Sequence, residues 1–166
     1  MNVLEYTNFI KKKLNSPWIV NLDISLDNEN FNLFAKCNLS LVRTMFSNNN
    51  VIDSFHTNEY IFIKHVDTLT LNIVKEFIIR MTSIHENLVF PSKDHKSSYT
   101  TAVIIYNHCS DIEALNNIKK FKYEKTYKFY LFGFSQIRLL AINLNNNSIV
   151  SNKYGKTVKK EYLPVS

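Results

Sequence analysis

Hydrophobic residues near the start of the chain recur at the spacing of a helix. From Val3 to Leu14 they fall every three or four positions, and lysines occupy the last turn, where positive charge complements the helix dipole. Pro17 then ends the pattern, because proline has no backbone N–H to continue the helix. These features predict a first helix over residues 2–14.

The hydrophobic period changes to two after the proline. Apolar and polar residues alternate over residues 18–26 and again over 31–41, and the polar residues 27–30 between them are typical of a turn. The two segments predict a β-hairpin. Residues 42–56 predict a further strand, turn and strand less clearly, with the turn at the asparagines of 48–50.

The middle of the chain predicts two strands and a long helix. Residues 60–66 have the composition of a strand, and residues 68–85 carry one apolar stripe that is typical of a helix, with Asp67 or Thr68 as its cap. Residues 99–106 are apolar on both faces, which is typical of a central, buried strand.

The last third of the chain predicts a helix followed by strands. Ser110 and Glu113 have the spacing of a capping box, and Lys119 and Lys120 would end that helix. The remaining predicted strands cover residues 126–134 and 136–144 and a short segment at Ile149. Helices interspersed among hairpins indicate an α+β fold, with a single mixed or antiparallel sheet of about six to seven strands and three helices.

Length and glycine content narrow the class of protein. The 166 residues are about as many as one domain contains, so we expect a single domain over residues 1–166 with a flexible C-terminal tail at about 156–166. Only two glycines are present, Gly133 and Gly155, and they stand apart. Phosphate-binding loops and dinucleotide-binding fingerprints need several glycines close together, so both are excluded.

Cysteine content and hydropathy predict a cytoplasmic protein. Cys37 and Cys109 are too few for a disulfide framework, which fits a reducing compartment. No segment holds the roughly 18 apolar residues that are needed to span a bilayer, so we expect no membrane insertion. The oligomeric state stays open.

Positive charge is concentrated at the C-terminal end. Residues 1–116 hold 10 Lys and Arg against 12 Asp and Glu, whereas residues 117–166 hold 10 against 2. Such a block predicts an anionic partner, nucleic acid or an acidic protein, because basic side chains near phosphates release counterions. AT-rich coding sequence, which favours Lys, Asn and Ile together, is the alternative explanation. The candidate nucleic-acid-binding residues are Lys119, Lys120, Lys122, Tyr123, Lys125 and Lys128, with Lys153, Lys156, Lys159 and Lys160 further along.

Aromatic residues are interleaved with these lysines. Lysines that contact phosphate beside aromatic rings that stack on bases are typical of single-strand binding. The same alternation also fits a strand, so we expect most of these aromatic side chains to lie in the core.

A polar loop predicted over residues 85–98 carries the best candidates for chemistry. A histidine beside carboxylate and hydroxyl groups can do acid–base work, and lysines can hold a phosphate, although a solvated loop has the same composition. Arg138, inside an apolar strand, is either an anion clamp or the partner of an acid such as Glu59. The catalytic candidates are Asp94, His95, Ser97, Ser98 and Glu59, and the ligand-binding candidates are Lys93, Lys96 and Arg138.

The sequence does not favour a metal or another cofactor. No two of its five histidines have the spacing of helical ligand pairs. The order of elements is similar to the restriction-endonuclease core, whose chemistry needs an acid on the second strand and Glu-x-Lys on the third. Here the second strand carries Asn32 and Lys36 instead, and Glu59 and Lys64 lie on opposite faces of a regular strand. An inactive relative of that fold stays an alternative.

Several short stretches resemble a known family. They are residues 58–64, the Pro-x-x-x-His-x-Ser-Ser sequence of 91–98, the lysine-rich residues 119–125, and residues 137–139 and 152–156. Together they resemble a family of small uncharacterised prokaryotic proteins, a domain of unknown function. The resemblance implies a shared fold over most of the chain and supplies no activity.

These observations favour a non-catalytic binding or interaction module for an anionic partner. A small-ligand or phosphate-handling enzyme with its site at residues 91–98 is the alternative from a different class.

Overall fold

A computed structural model describes residues 1–44 and 51–164 of the chain. The helices in these residues are α1 (Val3–Lys13), α2 (Leu71–Leu88) and α3 (Ile112–Lys120). The strands are β1 (Ile19–Leu26), β2 (Glu29–Thr44), β3 (Val51–Leu69), β4 (His95–Cys109), β5 (Glu124–Thr126), β6 (Phe134–Asn143) and β7 (Ile149–Ser151). Two 3-10 helices follow at Tyr154–Thr157 and Lys159–Tyr162.

The seven strands of the described residues form one mixed sheet in the order β1-β2-β3-β4-β6-β5, with β7 also paired to β6. Strands β1, β2 and β3 are antiparallel neighbours, whereas β3, β4 and β6 run parallel. Parallel neighbours need a crossover connection, which α2 supplies between β3 and β4 and α3 between β4 and β6. The expected α+β class, with a single mixed sheet and three helices, is confirmed.

The sheet buries apolar side chains on both faces. Phe62 and Ile104 point to the face covered by α2 and α3, which we call the α2–α3 face. Ile61 and Val103 point to the face on which Tyr6 of α1 packs, which we call the α1 face. Side chains alternate between these faces along each regular strand, so the register fixes which polar groups can meet. No helix within the described residues is long and apolar enough to cross a membrane.

Helix α1 begins at a capping box. The Asn2 side-chain oxygen accepts from the Glu5 backbone N–H at 2.9 Å, and the Glu5 carboxylate accepts from the Asn2 backbone N–H at 2.8 Å. Both contacts satisfy N–H groups that have no partner inside the helix. The predicted helix over residues 2–14 is therefore confirmed as α1.

The first hairpin is also confirmed. Strands β1 and β2 are joined at Asp27 and Asn28, whose φ angles of 51° and 61° are those that a tight two-residue turn requires. Strand β2 then extends to Thr44 and β3 begins at Val51, which fits the strand, turn and strand predicted for 42–56. The turn expected at residues 48–50 lies outside the described residues.

The predicted polar loop over residues 85–98 is wrong for most of its length. Helix α2 continues to Leu88, whose side chain still packs against the core of the α2–α3 face, and β4 already begins at His95. The connection is therefore only residues 89–94, and His95 to Ser98 belong to a central strand. The polar composition of these residues concealed the strand, because the His95, Ser97 and Ser98 side chains are buried and hydrogen-bonded within the protein.

Two predicted helix caps are also corrected. Helix α2 is capped by Thr70, whose hydroxyl accepts from the Ile73 N–H at 3.2 Å, because β3 extends past Asp67 and Thr68 to Leu69. Helix α3 is capped by Asp111, whose carboxylate accepts from the Glu113 N–H at 2.9 Å, instead of by Ser110.

The strand predicted over residues 126–134 is wrong as well. Strand β5 ends at Thr126, and residues 127–133 form a turn that we call the aromatic turn. Lys128, Phe129 and Tyr130 have φ angles of 45°, 52° and 69°, and three consecutive residues with positive φ do not form an extended strand. Beyond β7, the segment that we expected to be flexible holds the two 3-10 helices, and the Tyr162 side chain is buried.

Candidate functional site

His95 is a buried side chain whose two ring nitrogens are both hydrogen-bonded. Nδ1 lies 2.7 Å from the Phe132 carbonyl oxygen, and Nε2 lies 2.9 Å from the Ser98 hydroxyl. A carbonyl can only accept, so Nδ1 carries the proton and neutral His95 accepts from Ser98. The ring thus ties β4 to the aromatic turn. These contacts support a structural role, since both nitrogens are occupied by groups of the protein itself.

The other candidates from residues 91–98 do not gather around His95. Lys93, Asp94 and Lys96 are exposed. Ser97 points to the α1 face, where its hydroxyl lies 3.2 Å from the Thr57 hydroxyl, whereas Ser98 points to the α2–α3 face. Residues that are adjacent in a strand are separated by the sheet, so these groups share no cleft.

Glu59 and Arg138 meet on the α1 face. Arg138 Nη1 lies 3.4 Å from Glu59 Oε2, and the guanidinium carbon lies 4.0 Å from the centroid of the Tyr99 ring. This is the ion pair that the sequence offered as one of two readings of Arg138. The sheet lies between this pair and the ring of His95, so a site that combines them is not formed.

The six candidate nucleic-acid-binding residues differ in their contacts. Lys120 and Lys122 are exposed. Lys125 lies 3.9 Å from Glu86, which also accepts at 3.0 Å from the hydroxyl of Tyr123. The ammonium of Lys128 lies 4.3 Å from the centroid of the Phe132 ring. Lys119 is different, because it belongs to a cluster with lysines from the C-terminal segment.

Four lysines line one surface depression, which we call the lysine pocket. The pocket has a volume of about 610 Å³, and Ile149, Val150 and Ser151 form the rest of its lining. No acidic residue is part of this lining. The four lysines are Lys119, Lys153, Lys156 and Lys159. Within the residues that the structure describes, none of them forms an ion pair with Asp or Glu.

The 3-10 geometry of the C-terminal segment explains why its lysines gather. A 3-10 helix has three residues per turn, so side chains three positions apart point the same way. Lys153, Lys156 and Lys159 have this spacing and fall in or beside the two 3-10 helices. The spacing was visible in the sequence, but the segment was expected to be flexible, and its proximity to Lys119 depends on the tertiary fold.

Asn152 holds this segment against the sheet. Its side-chain oxygen accepts from the backbone N–H groups of Leu139 and Gly155 at 3.0 and 2.7 Å, and its Nδ2 donates to the Ile137 carbonyl at 3.0 Å. The residue is fully buried. A single amide side chain therefore positions the three lysines that follow it.

We expected most of the aromatic side chains among the lysines to lie in the core. Phe121 and Tyr123 pack against it, whereas the aromatic turn exposes its apolar side chains. Phe129 is 98% exposed, Tyr130 63% and Leu131 74%.

Tyr154 contacts the lysine pocket, since the Lys153 ammonium lies 5.7 Å from the centroid of its ring. Desolvation raises the pKa of Tyr154, and Glu124 and Tyr130 raise it further, so Tyr130 of the turn is within electrostatic reach of this residue.

His85 is a buried titratable residue to which the sequence assigned no role. Its Nδ1 lies 2.7 Å from the Thr100 hydroxyl, and its Nε2 is buried without a hydrogen-bond partner in the described part of the chain. Desolvation lowers the pKa of His85 from 6.5 to about 4, partly opposed by Glu86. The residue is therefore neutral at physiological pH.

Acidification is expected to destabilise the protein through His85. Between pH 6.5 and 4 the unfolded chain binds a proton at this site that the folded chain does not, so the free energy of unfolding falls as the pH drops. The fall is about 3 kcal/mol over this interval. Urea unfolding at several pH values should show this slope in the wild type and lose it in His85→Gln. Equal slopes in the two proteins would contradict the assignment.

Metal ligation finds no support in the described residues, where no group of three His, Cys, Asp or Glu side chains is close enough to hold an ion. The hypothesis of an endonuclease-like site also finds no support, because Glu59 is paired with Arg138 and Lys64 is paired with Glu29.

The mixed sheet and the pocket at its edge define the class of protein, an α+β domain with a basic surface site. The chain belongs to the family described as a domain of unknown function, DUF8052, whose model matches residues 2–164. The expected membership of an uncharacterised family is thus confirmed. No curated protein and no solved structure matches the chain.

Proposed function

We propose that the protein is a binding module for single-stranded nucleic acid, which it holds at the lysine pocket. The observation that carries the proposal is the gathering of four lysines, none of which forms an ion pair within residues 1–44 and 51–164, around a depression with no acidic lining. Like charges at close range repel each other, and an anionic partner relieves this repulsion.

The aromatic turn favours nucleic acid over an acidic protein. Phe129 is almost completely exposed although it is apolar, and its backbone conformation is one that bulky residues rarely adopt. A base can stack on such a ring, and stacking contributes about 1–3 kcal/mol per base. An exposed aromatic ring together with lysines that can contact phosphate is the combination typical of single-strand binding.

Binding is favoured over catalysis because the catalytic candidates do not share a cleft and His95 is fully hydrogen-bonded. Both cysteines are free, Cys109 in an exposed position, which supports a reducing compartment. We therefore place the protein in the cytoplasm.

Binding to unstructured DNA is expected to depend steeply on salt. If the four lysines of the pocket neutralise phosphates, the slope of log K against log salt concentration is about −2.8 for a single strand. A fourfold increase in salt then weakens binding by about 50-fold. Fluorescence anisotropy with labelled oligo-dT of about 12 nucleotides measures the slope.

Matched variants distinguish binding at the lysine pocket from a general effect of the protein's positive charge. Lys153→Gln with Lys156→Gln should halve the slope, whereas Lys11→Gln with Lys12→Gln, which removes the same charge from exposed positions of α1, should leave it unchanged. Phe129→Ala should weaken binding of oligo-dT by about tenfold without changing the slope. Equal slopes in the two double variants would disprove the proposed site. Equal binding of polyglutamate and oligo-dT would disprove nucleic acid as the partner.

A further inference from the structure

A second cavity lies on the α1 face of the sheet, between the sheet, α1 and the second 3-10 helix. Its volume is about 430 Å³, within the range of small-molecule sites, and we call it the Arg138 cleft. Ile10, Leu14 and Trp18 give it an apolar wall, and Thr101 and Tyr162 add hydroxyl groups. The lysine pocket includes Lys119 of α3, which packs on the other face, so the two sites are separate.

Arg138 is the least satisfied charged group in this cleft. Its side chain is only 12% exposed, and its Nε is buried without a hydrogen-bond partner in the described residues. Its one ion pair there is the contact of 3.4 Å with Glu59. A guanidinium has five N–H donors, and a desolvated cation with so few acceptors is costly.

The guanidinium is nevertheless held in a defined orientation. The Tyr99 ring covers it at 4.0 Å, which restricts the plane of the group. A fixed planar fork of donors matches the two oxygens of a carboxylate. Tyr162 also lines the cleft, and its phenol hydroxyl can donate a further hydrogen bond.

We propose that the Arg138 cleft binds a small aromatic carboxylic acid, with the carboxylate on Arg138 and the ring against Trp18. The apolar wall matches the ring, and the unsatisfied guanidinium matches the carboxylate. Lys13 and Glu161 also line the cleft, and Lys13 donates to the Glu161 carbonyl oxygen at 2.6 Å, so these two opposite charges contribute little net attraction.

Glu59 adds a condition on the ligand. Its carboxylate lies beside the position where the ligand carboxylate would bind, and like charges at that distance repel each other. An amino group next to the ligand carboxylate turns this repulsion into an attraction, because it donates to Glu59. An aromatic amino acid is therefore expected to bind more tightly than the corresponding acid without the amino group.

Trp18 and Arg138 allow a direct test by NMR. Trp18 is the single tryptophan of the chain, so its indole N–H gives one cross-peak, and the three arginines give three Nε–H cross-peaks. The probes are L-phenylalanine, 3-phenylpropionate and 3-phenylpropionamide, which share a ring and differ in charge. We expect both acids to shift the Trp18 and Arg138 signals, phenylalanine at the lowest concentration, and the amide to shift neither.

Three variants test the role of each charge. Arg138→Gln should weaken binding of both acids by about tenfold or more, the loss expected for a charged hydrogen bond. Arg138→Lys keeps the positive charge but loses the planar pair of donors, so it should also weaken binding of both acids. Because it keeps the charge in the cleft, it also shows whether a loss of binding in Arg138→Gln comes from a folding defect. Glu59→Gln should tighten binding of 3-phenylpropionate and weaken that of phenylalanine. Arg80→Lys, at an exposed arginine that contacts Glu29, is the matched control.

The proposal fails if neither acid shifts the Trp18 and Arg138 signals at about 10 mM, since that limit is weaker than a specific small-molecule site requires. It also fails if the amide shifts them as strongly as the acids, because Arg138 would then make no contribution. Either result would leave the nucleic-acid proposal untouched, since that proposal rests on different residues.

Discussion

Replacing Asn152 by alanine is expected to lower the free energy of unfolding by about 3–5 kcal/mol, because it leaves three buried backbone groups without partners at about 1–3 kcal/mol each. These groups are the N–H of Leu139, the N–H of Gly155 and the carbonyl of Ile137. The substitution also removes the contact that holds the C-terminal lysines in place, so oligo-dT affinity should fall with stability. Urea unfolding monitored by Trp18 fluorescence measures the first effect.

Two further variants distinguish the loss of the Asn152 hydrogen bonds from a general effect of replacing an asparagine. Asn72→Ala changes an exposed residue of α2 and should leave stability within a few tenths of a kcal/mol, since alanine favours helices. Asn152→Asp keeps the shape but cannot donate to Ile137 unless it is protonated, so its deficit should shrink below about pH 4. An Asn152→Ala protein within about 1 kcal/mol of the wild type would show that this account is wrong.

The role of Asn152 could not be predicted from the sequence. The chain is rich in asparagine, and the turn at residues 48–50 was predicted from it because asparagine favours turns by local hydrogen bonds. The contacts of Asn152 instead reach β6, 13 and 15 residues away. No local pattern distinguishes the two uses, since the second depends on a pairing of strands that forms only in the folded protein.

The periodic parts of the chain were predictable for the opposite reason. Helix α1, the β1–β2 hairpin and the buried strand β4 each bury one or both faces regularly, and burial leaves a period in the sequence. His95 and Ser98 were assigned to a loop because they are polar, although they are hydrogen-bonded to each other and His95 also to the aromatic turn. The composition of a polar loop and that of a satisfied polar strand are the same.

The lysine pocket was predictable in part: its charge was visible in the sequence, but its geometry was not. The excess of charge in residues 117–166 was visible, and Lys119 was among the candidates. The sequence grouped it with neighbours in the chain, Lys120 and Lys122, whereas the fold groups it with lysines more than thirty positions away. Charge composition therefore indicates only the sign of the charge that a partner would carry, whereas the geometry of a site depends on which elements pack together.

Replacing Gly133 by alanine is expected to destabilise the protein by about 4 kcal/mol, from backbone strain and steric overlap together. Gly133 has a φ of +74°, and a Cβ there would lie 2.3 Å from the carbonyl oxygen of Lys96 and 2.6 Å from that of His95. Both atoms belong to the backbone of β4, so neither can rotate away. Strand or turn must shift, which also breaks the contact between His95 and the Phe132 carbonyl.

The second glycine of the chain supplies the control. At Gly155 a Cβ would meet the Leu139 carbonyl oxygen at 3.0 Å, and its φ lies outside the left-handed region, so alanine there should cost only about 1–2 kcal/mol. Urea unfolding should place the two variants in that order. Because Gly133 closes the aromatic turn, its substitution should also remove the contribution of Phe129 to oligo-dT binding while the salt slope stays unchanged. A Gly133→Ala protein as stable as Gly155→Ala would mean that the turn does not pack on β4 as described.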